Sequence, residues 1–357
     1  MSKFLFKGLI LFIVLLNAAM AGDIDALISW KPHPKHPGMV LPVLKGESPE
    51  KAIKRYRDAL YRTKDLDAAR QRHKVTKEML SGMKYEYISI DGLKNSPRPS
   101  FLLMANKFND YQPKYYRIWD FINPISKYGG ITHILPISVD VSLSKNQAAE
   151  FRDLIAGTFD SLFGMGGEDV DPTLYNEKLT YANAKEVVPT RDLSEVKLIK
   201  RYIQKKRGVY YGICRGSQIC FVAKGGKLSQ DIFKDGVTDE HLDVWHKVKI
   251  VKEDKNLMRA FVGGQDEVDI YSYHHQAVKA GTADVMINSE TGKGVNHVVE
   301  GYQFKNGLGL TFQFHPEMMH NKDGEDMMAG MVKYSAFVKE VRVLGPSCTN
   351  LVERFLR

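Results

Sequence analysis

The chain reads as an α/β fold, a mostly parallel sheet with helices on both faces. Three observations predict it. From about residue 98 onward, short apolar runs alternate with amphipathic stretches. One run, Asp160-Ser-Leu-Phe163, leads straight into the glycine-rich Gly164-Met-Gly-Gly167. A second, Val209-Tyr-Tyr-Gly-Ile-Cys214-Arg-Gly-Ser-Gln218, passes from a strand pattern to a helix pattern through a bend flanked by glycines. Alternation of this kind is the signature of strands joined by helical crossovers.

The elements follow in order. Phe101 to Met104 is expected as a strand, Tyr115 to Lys127 as a helix, Ile131 to Ile137 as a strand and Gln147 to Ile155 as a helix. Asp192-Leu-Ser-Glu195 resembles a capping box, and Leu193, Val196, Ile199 and Ile203 follow at helical spacing. That helix delivers the chain to the strand at Val209. Beyond it the pattern is richer in strands, at Trp245 to Val251, Val268 to Tyr273, Ala283 to Asn288, Gly294 to Glu300 and Leu308 to Phe314. Helices from Met327 to Val341 and Thr349 to Leu356 close the chain, which carries no internal repeat.

The first hundred residues have another texture. Residues 1–21 have the pattern of a secretory signal: Lys3 and Lys7 at the start, an apolar run from Leu9 to Leu16, and small residues at Ala19 and Ala21. The run is short for a membrane span and no stop-transfer stretch follows, so an exported protein, periplasmic or secreted, is expected, with an uncleaved anchor as the alternative. Residues 22–96 form an N-terminal extension. Lys31-Pro-His-Pro-Lys-His-Pro37 reads as an extended loop, since its histidines have no cysteine or carboxylate at ligand spacing, and no metal or other cofactor is expected. Ser48-Pro-Glu50 opens a helix through Ala52, Tyr56 and Leu60 and on toward Leu80, able to pack on the main domain or to dock a partner. The main domain spans residues 97–345, and 346–357 form a helical tail.

The 357 residues carry a formal charge of +9, or +7 once residues 1–21 are removed with Lys3 and Lys7. Lysines and arginines are scattered, without the concentrated basic face that nucleic-acid binding requires. A homo-oligomer is compatible with the sequence. Of three cysteines, Cys214, Cys220 and Cys348, at least one stays free or pairs between chains. Cys220 lies on a different helix face from Cys214, and a pairing with Cys348 is left open.

Gly212-Ile-Cys-Arg-Gly216 has the form of a nucleophile elbow, in which small residues two positions either side admit a strained strand-to-helix turn. Cys214 would then stand at a helix N-terminus, whose dipole and free amides favour a negative charge. A thiolate nucleophile needs a base, and the base an orienting acceptor. His315-Pro-Glu317 supplies both, two residues apart at the end of an expected strand where alternate side chains share a face. The glycine turn at Gly166 and Gly167, with the amide of Arg215, would receive an oxyanion. The bland alternative is a buried structural cysteine beside an ordinary glycine turn.

Six stretches taken together resemble one family. They are 166–175, Arg191-Asp-Leu-Ser-Glu195, 212–218, Gly225 to Ile232, Tyr273-His-His-Gln276 and Phe314-His-Pro-Glu317, in the order seen in class I glutamine amidotransferase-like hydrolases. They look most like the gamma-glutamyl-gamma-aminobutyrate hydrolase branch, peptidase family C26, over about residues 98–322. The resemblance implies a flavodoxin-like or Rossmann-like sheet and a cysteine enzyme that cleaves a gamma-glutamyl amide through a thioester. It implies Cys214 as nucleophile, His315 as general base and acid and Glu317 as orienter. Gln218, His274, His275 and Gln276 would line a pocket for a small gamma-glutamyl substrate. Glu168 stands where many relatives have proline, Ser217 replaces a bulky apolar residue, and Lys224 enters a small, apolar helix. The competing functional class is a binding or scaffold protein that keeps the fold and engages a partner through its N-terminal helix.

Overall fold

A computed structural model describes residues 22–30, 38–62, 90–104, 117–136, 138–345 and 350–357. The expected signal sequence, the Lys31 to Pro37 loop, the helix beyond Arg62 and Cys348 lie outside the described residues.

One sheet of eleven strands organises the chain, in the order β1-β2-β4-β3-β5-β6-β13-β12-β11-β8-β9. Its centre is β3 (Ser100–Met104), β4 (Ile131–Leu135), β5 (Ser161–Gly164), β6 (Val209–Ile213) and β13 (Gly309–Phe312). Neighbours among these pair in parallel. Phe101, Leu102, Leu103, Leu162, Phe163, Tyr210, Tyr211, Leu310 and Phe312 are fully buried, as expected of parallel strands covered on both faces. The expected α/β sheet, mostly parallel at its core and flavodoxin-like, is what the chain forms. Its far wing is antiparallel: β12 (Val298–Gln303), β11 (Met286–Thr291), β8 (Leu242–Ile250) and β9 (Glu267–Tyr273). A separate two-stranded ribbon joins β7 (Leu228–Ser229) to β10 (Ala277–Val278).

The N-terminal region differs from the sequence reading. β1 (Ile24–Trp30) and β2 (Met39–Leu44) form a hairpin that continues the main sheet, with Met39 of β2 paired in parallel with Ile134. Helix α1 (Pro49–Arg62) follows, and Arg55 pins it by donating to the carbonyl oxygens of Pro42 and Ser142. A short α2 (Ile90–Asn95) leads into β3.

Helices α3 (Arg117–Lys127), α4 (Lys145–Thr158), α5 (Pro189–Lys205), α6 (Arg215–Ala223) and α8 (Lys322–Val343) flank the sheet, with short α7 (Leu257–Phe261) and α9 (Leu351–Leu356). Helix α4 starts two residues before its expected position because Ser144 and Gln147 form a reciprocal capping box. The capping box expected at Asp192 is absent. Helix α5 begins at Pro189, and the Asp192 and Glu195 carboxylates turn to a buried guanidinium, a stronger partner than a backbone amide. Leu193 is exposed. Residues Gly294 to Asn296 are a 3-10 turn, and the strand expected there runs from Val298 to Gln303. Ala283 precedes β11, which starts at Met286.

Candidate active site

The two glycine-marked stretches and the His315-Pro-Glu317 stretch converge because β5, β6 and β13 are adjacent and parallel, so their carboxyl ends open on one edge of the sheet. Gly164 ends β5, Cys214 follows β6, and His315 follows β13 by three residues. The Cys214 amide donates to the carbonyl of Phe312 at 2.8 Å, fixing the nucleophile strand to the histidine strand.

Cys214 has φ 52° and ψ −113°, a conformation that L-residues rarely hold. The elbow tolerates it because the residues two positions either side, Gly212 and Gly216, are glycine. A Cβ on Gly212 would lie 2.6 Å from the Gly216 carbonyl oxygen, and one on Gly216 would overlap the Gly164 carbonyl. The Tyr210 hydroxyl donates to the Gly216 carbonyl at 2.7 Å and locks the turn from below.

His315 and Glu317 do not sit on a strand, contrary to the alternation argument. Strand β13 stops at Phe312, and His315 caps a 3-10 turn over Pro316–Met318. The turn still brings the pair together: Nδ1 of His315 lies 2.7 Å from Oε1 of Glu317, and the His315 amide donates to the Tyr271 carbonyl. A carboxylate only accepts, so Nδ1 carries the hydrogen and Nε2 is left for chemistry. Burial pulls the imidazolium down, but the Glu317 carboxylate and the Cys214 thiol outweigh it and raise His315 to about 10.

Gly166 joins the two halves. A Cβ there would stand 3.1 Å from Cε1 of His315 and 3.6 Å from Cβ of Cys214. The amides of Gly166, Gly167 and Arg215 donate to no acceptor among the described residues, which leaves them available to a ligand oxygen. The Cys214 sulfur lies 3.9 Å from the Tyr273 carbonyl oxygen. Cys214 and His315 are buried, while Gly167 and Tyr273 beside them are exposed.

The residues expected to line a substrate pocket divide. Gln218 is buried and donates to the Gln276 carbonyl at 3.0 Å and to Oε1 of Gln313 at 3.3 Å. Gln276 accepts the Val170 amide. His274 is buried, its Nδ1 3.0 Å from the Gln276 carbonyl. Only His275 reaches the surface, its Nε2 2.8 Å from Oδ1 of Asp169, whose carboxylate raises the ring above its ordinary range. These bonds tie the 273–276 stretch to the glycine turn.

A buried ionic lattice under the elbow is not evident from local sequence. Arg215 pairs with Asp192 and with Glu195, and Arg191 pairs with Glu195 and Glu168, each at 2.7 Å. Burial pulls the Arg215 guanidinium down, but the carboxylates outweigh it and raise it. Glu168 is thereby the clamp that holds the glycine turn to α5. The Ser217 carbonyl accepts the Tyr302 hydroxyl at 2.7 Å, and Lys224, just beyond α6, places its ammonium 4.4 Å from the Phe304 ring. Cys220 is sealed in the core, and burial pushes its thiol up to about 12.

Residues 100–317 match the Peptidase C26 family. The chain is 28% identical over 214 residues to Protein NtpR of Enterococcus hirae, spanning 58% of this chain and 83% of that one. It is 22% identical over 240 residues to the gamma-glutamyl-gamma-aminobutyrate hydrolase PuuD of Escherichia coli (strain K12), spanning 64% and 88%. Among solved structures it resembles the glutaminase domain of Trypanosoma brucei CTPS with bound acivicin. That likeness has 15% identity and a TM-score of 0.49, over 67% of this chain and 93% of that one.

Proposed function

Because the chain belongs to the Peptidase C26 family, we propose that it is a cysteine hydrolase that cleaves gamma-glutamyl amide bonds through a thioester on Cys214. The observation that carries this reading is the 2.7 Å contact of His315 with Glu317, beside a cysteine on a strained backbone turn and a glycine at which a Cβ would lie within 3.6 Å of both His315 and Cys214.

The steps follow from those positions. The Cys214 sulfur, as thiolate, attacks the side-chain carbonyl of the glutamyl unit, and the charge that develops on oxygen is met by the amides of Gly166, Gly167 and Arg215. His315, protonated, gives its proton to the departing nitrogen as the C–N bond breaks, leaving a thioester and a free amine. Glu317 holds the ring in place and stabilises its positive form. His315, now neutral, takes a proton from water, whose oxygen attacks the thioester. The C–S bond breaks, and glutamate leaves as the thiolate and imidazolium are restored.

Hydrolysis is favoured over amido transfer because an exported enzyme has little use for channelled ammonia, and export is the expectation for residues 1–21. Candidate substrates there are gamma-glutamyl peptides such as glutathione, folate polyglutamates and gamma-linked cell-wall peptides. The test is a panel of purified amides in matched pairs, glutamate linked through its side-chain or its main-chain carboxyl. Release of amine from the gamma-linked member only supports the reading. Turnover of neither, or of the alpha-linked member only, overturns it.

A further inference from the structure

Four side chains that the thiol chemistry does not use converge in the antiparallel wing. His241 precedes β8, His246 lies on it, His274 follows β9 and Glu300 lies on β12. Their ring nitrogens aim at one carboxylate. Nε2 of His241 is 3.3 Å and Nε2 of His246 is 3.8 Å from Oε1 of Glu300, and Nε2 of His274 is 3.7 Å from Oε2. None of the three nitrogens and neither Glu300 oxygen has a hydrogen-bond partner, although all five atoms are buried.

The other face of each ring explains why. Nδ1 of His241 lies 2.9 Å from the Asp239 carbonyl oxygen, that of His274 3.0 Å from Gln276, and that of His246 3.3 Å from Lys247. A carbonyl oxygen can only accept, so the hydrogen of each neutral ring is on Nδ1. With all three rings neutral, three lone pairs and a fully buried carboxylate face one another, a costly arrangement that a cation between them relieves. Backbone carbonyls that fix the ring orientation in this way are the usual support of metal-bound histidines.

We propose that His241, His246, His274 and Glu300 bind one Zn²⁺ ion. Three imidazoles and a carboxylate suit zinc. At zinc–ligand distances near 2.05 Å, tetrahedral ligand atoms stand about 3.3 Å apart. The ligand atoms of His241, His274 and Glu300 lie within 4.8 Å of one another, so these three close on the ion through a small contraction, while His246, 3.8 Å from Oε1 of Glu300 and outside that group of three, must swing inward to complete the four. With four protein ligands it is a structural site. It joins β8, β9 and β12 behind Tyr273, whose carbonyl faces the Cys214 sulfur. Glu300 also accepts, through its carbonyl, the amide of Gln313, two residues before His315. The ion thus braces the wall that holds the thiol and the imidazole, and the inference stands whether or not the gamma-glutamyl reading does.

The experiment uses the tag-free chain, stripped by chelator, dialysed against zinc and freed of excess metal, with zinc counted by mass spectrometry and thermal unfolding followed with and without the ion. The expected result is about one zinc per chain and a raised midpoint, both kept in His297→Ala at a surface histidine. His241→Ala and the milder His246→Asn should each bind zinc at least about tenfold more weakly. Crystals of the zinc-loaded wild type should show an anomalous peak among the four side chains, which decides the matter if the variants do not fold. Retention below about one tenth of an ion per chain, unchanged affinity in folded His241→Ala or His246→Asn, or an anomalous peak elsewhere would overturn the proposal.

Discussion

Nδ1 of His315 lies 2.7 Å from Oε1 of Glu317, and the intervening Pro316 starts a 3-10 turn that holds the two side chains face to face. The contact fixes the tautomer, the ring plane and the charge preference of the His315 imidazole. Glu317→Gln keeps the shape and removes the charge. Under the proposed mechanism kcat should fall by about 10²- to 10⁴-fold with little change in fold, measured by steady-state kinetics and circular dichroism.

The same pair sets the pH response. His315 is raised to about 10, so the proton that it must give the departing amine is present through neutral pH and is lost as pH rises through that value. The rate of the wild type should decline on the alkaline side near pH 10, and in Glu317→Gln the decline should move to lower pH. A profile that does not move on substitution would separate the limb from His315.

Stability should follow the same group. Its folded value lies above the ordinary histidine value of about 6.5, so its contribution is fully present below that pH. It diminishes as pH rises and is gone above about 10. Urea unfolding across this range should show the loss, and His315→Gln should flatten it.

Gly216→Ala tests the elbow. The added methyl would overlap the Gly164 carbonyl where two strand ends meet, and neither backbone can move far. A loss of about 1–3 kcal/mol or more is expected in denaturant unfolding, together with loss of any turnover that depends on the Cys214 geometry.

Glu195→Gln tests the lattice beneath. Glu195 is shared by Arg191 and Arg215, both buried, and removing its charge leaves two guanidinium groups short of a partner. A cost of about 3–5 kcal/mol is expected in denaturant unfolding.

What could be read from the chain alone divides by range. The elbow was legible because Gly212 and Gly216 mark a backbone requirement within five residues, and β3, β5 and β6 because fully buried parallel strands leave continuous apolar runs. His315 and Glu317 could be paired because they are two residues apart, although a turn rather than a strand joins them. Asp192 looked like a helix cap because its partner, Arg215, is 23 residues away and invisible to a local pattern. His246 and Glu300 lie on two strands and His241 and His274 at the ends of two, with no ligand spacing between them, so only the fold assembles them. Strands β1 and β2 went unread because a proline-rich stretch of sequence separates them and their pairing extends a sheet whose centre lies much further along the chain.

The most direct test of the proposed chemistry is intact-protein mass spectrometry of the enzyme quenched in acid during turnover of a gamma-glutamyl amide. The account predicts a glutamyl adduct that maps to Cys214, forms before glutamate is released and is absent from Cys214→Ala. Steady turnover with no adduct at any quench time, or the same turnover by Cys214→Ala, would contradict it.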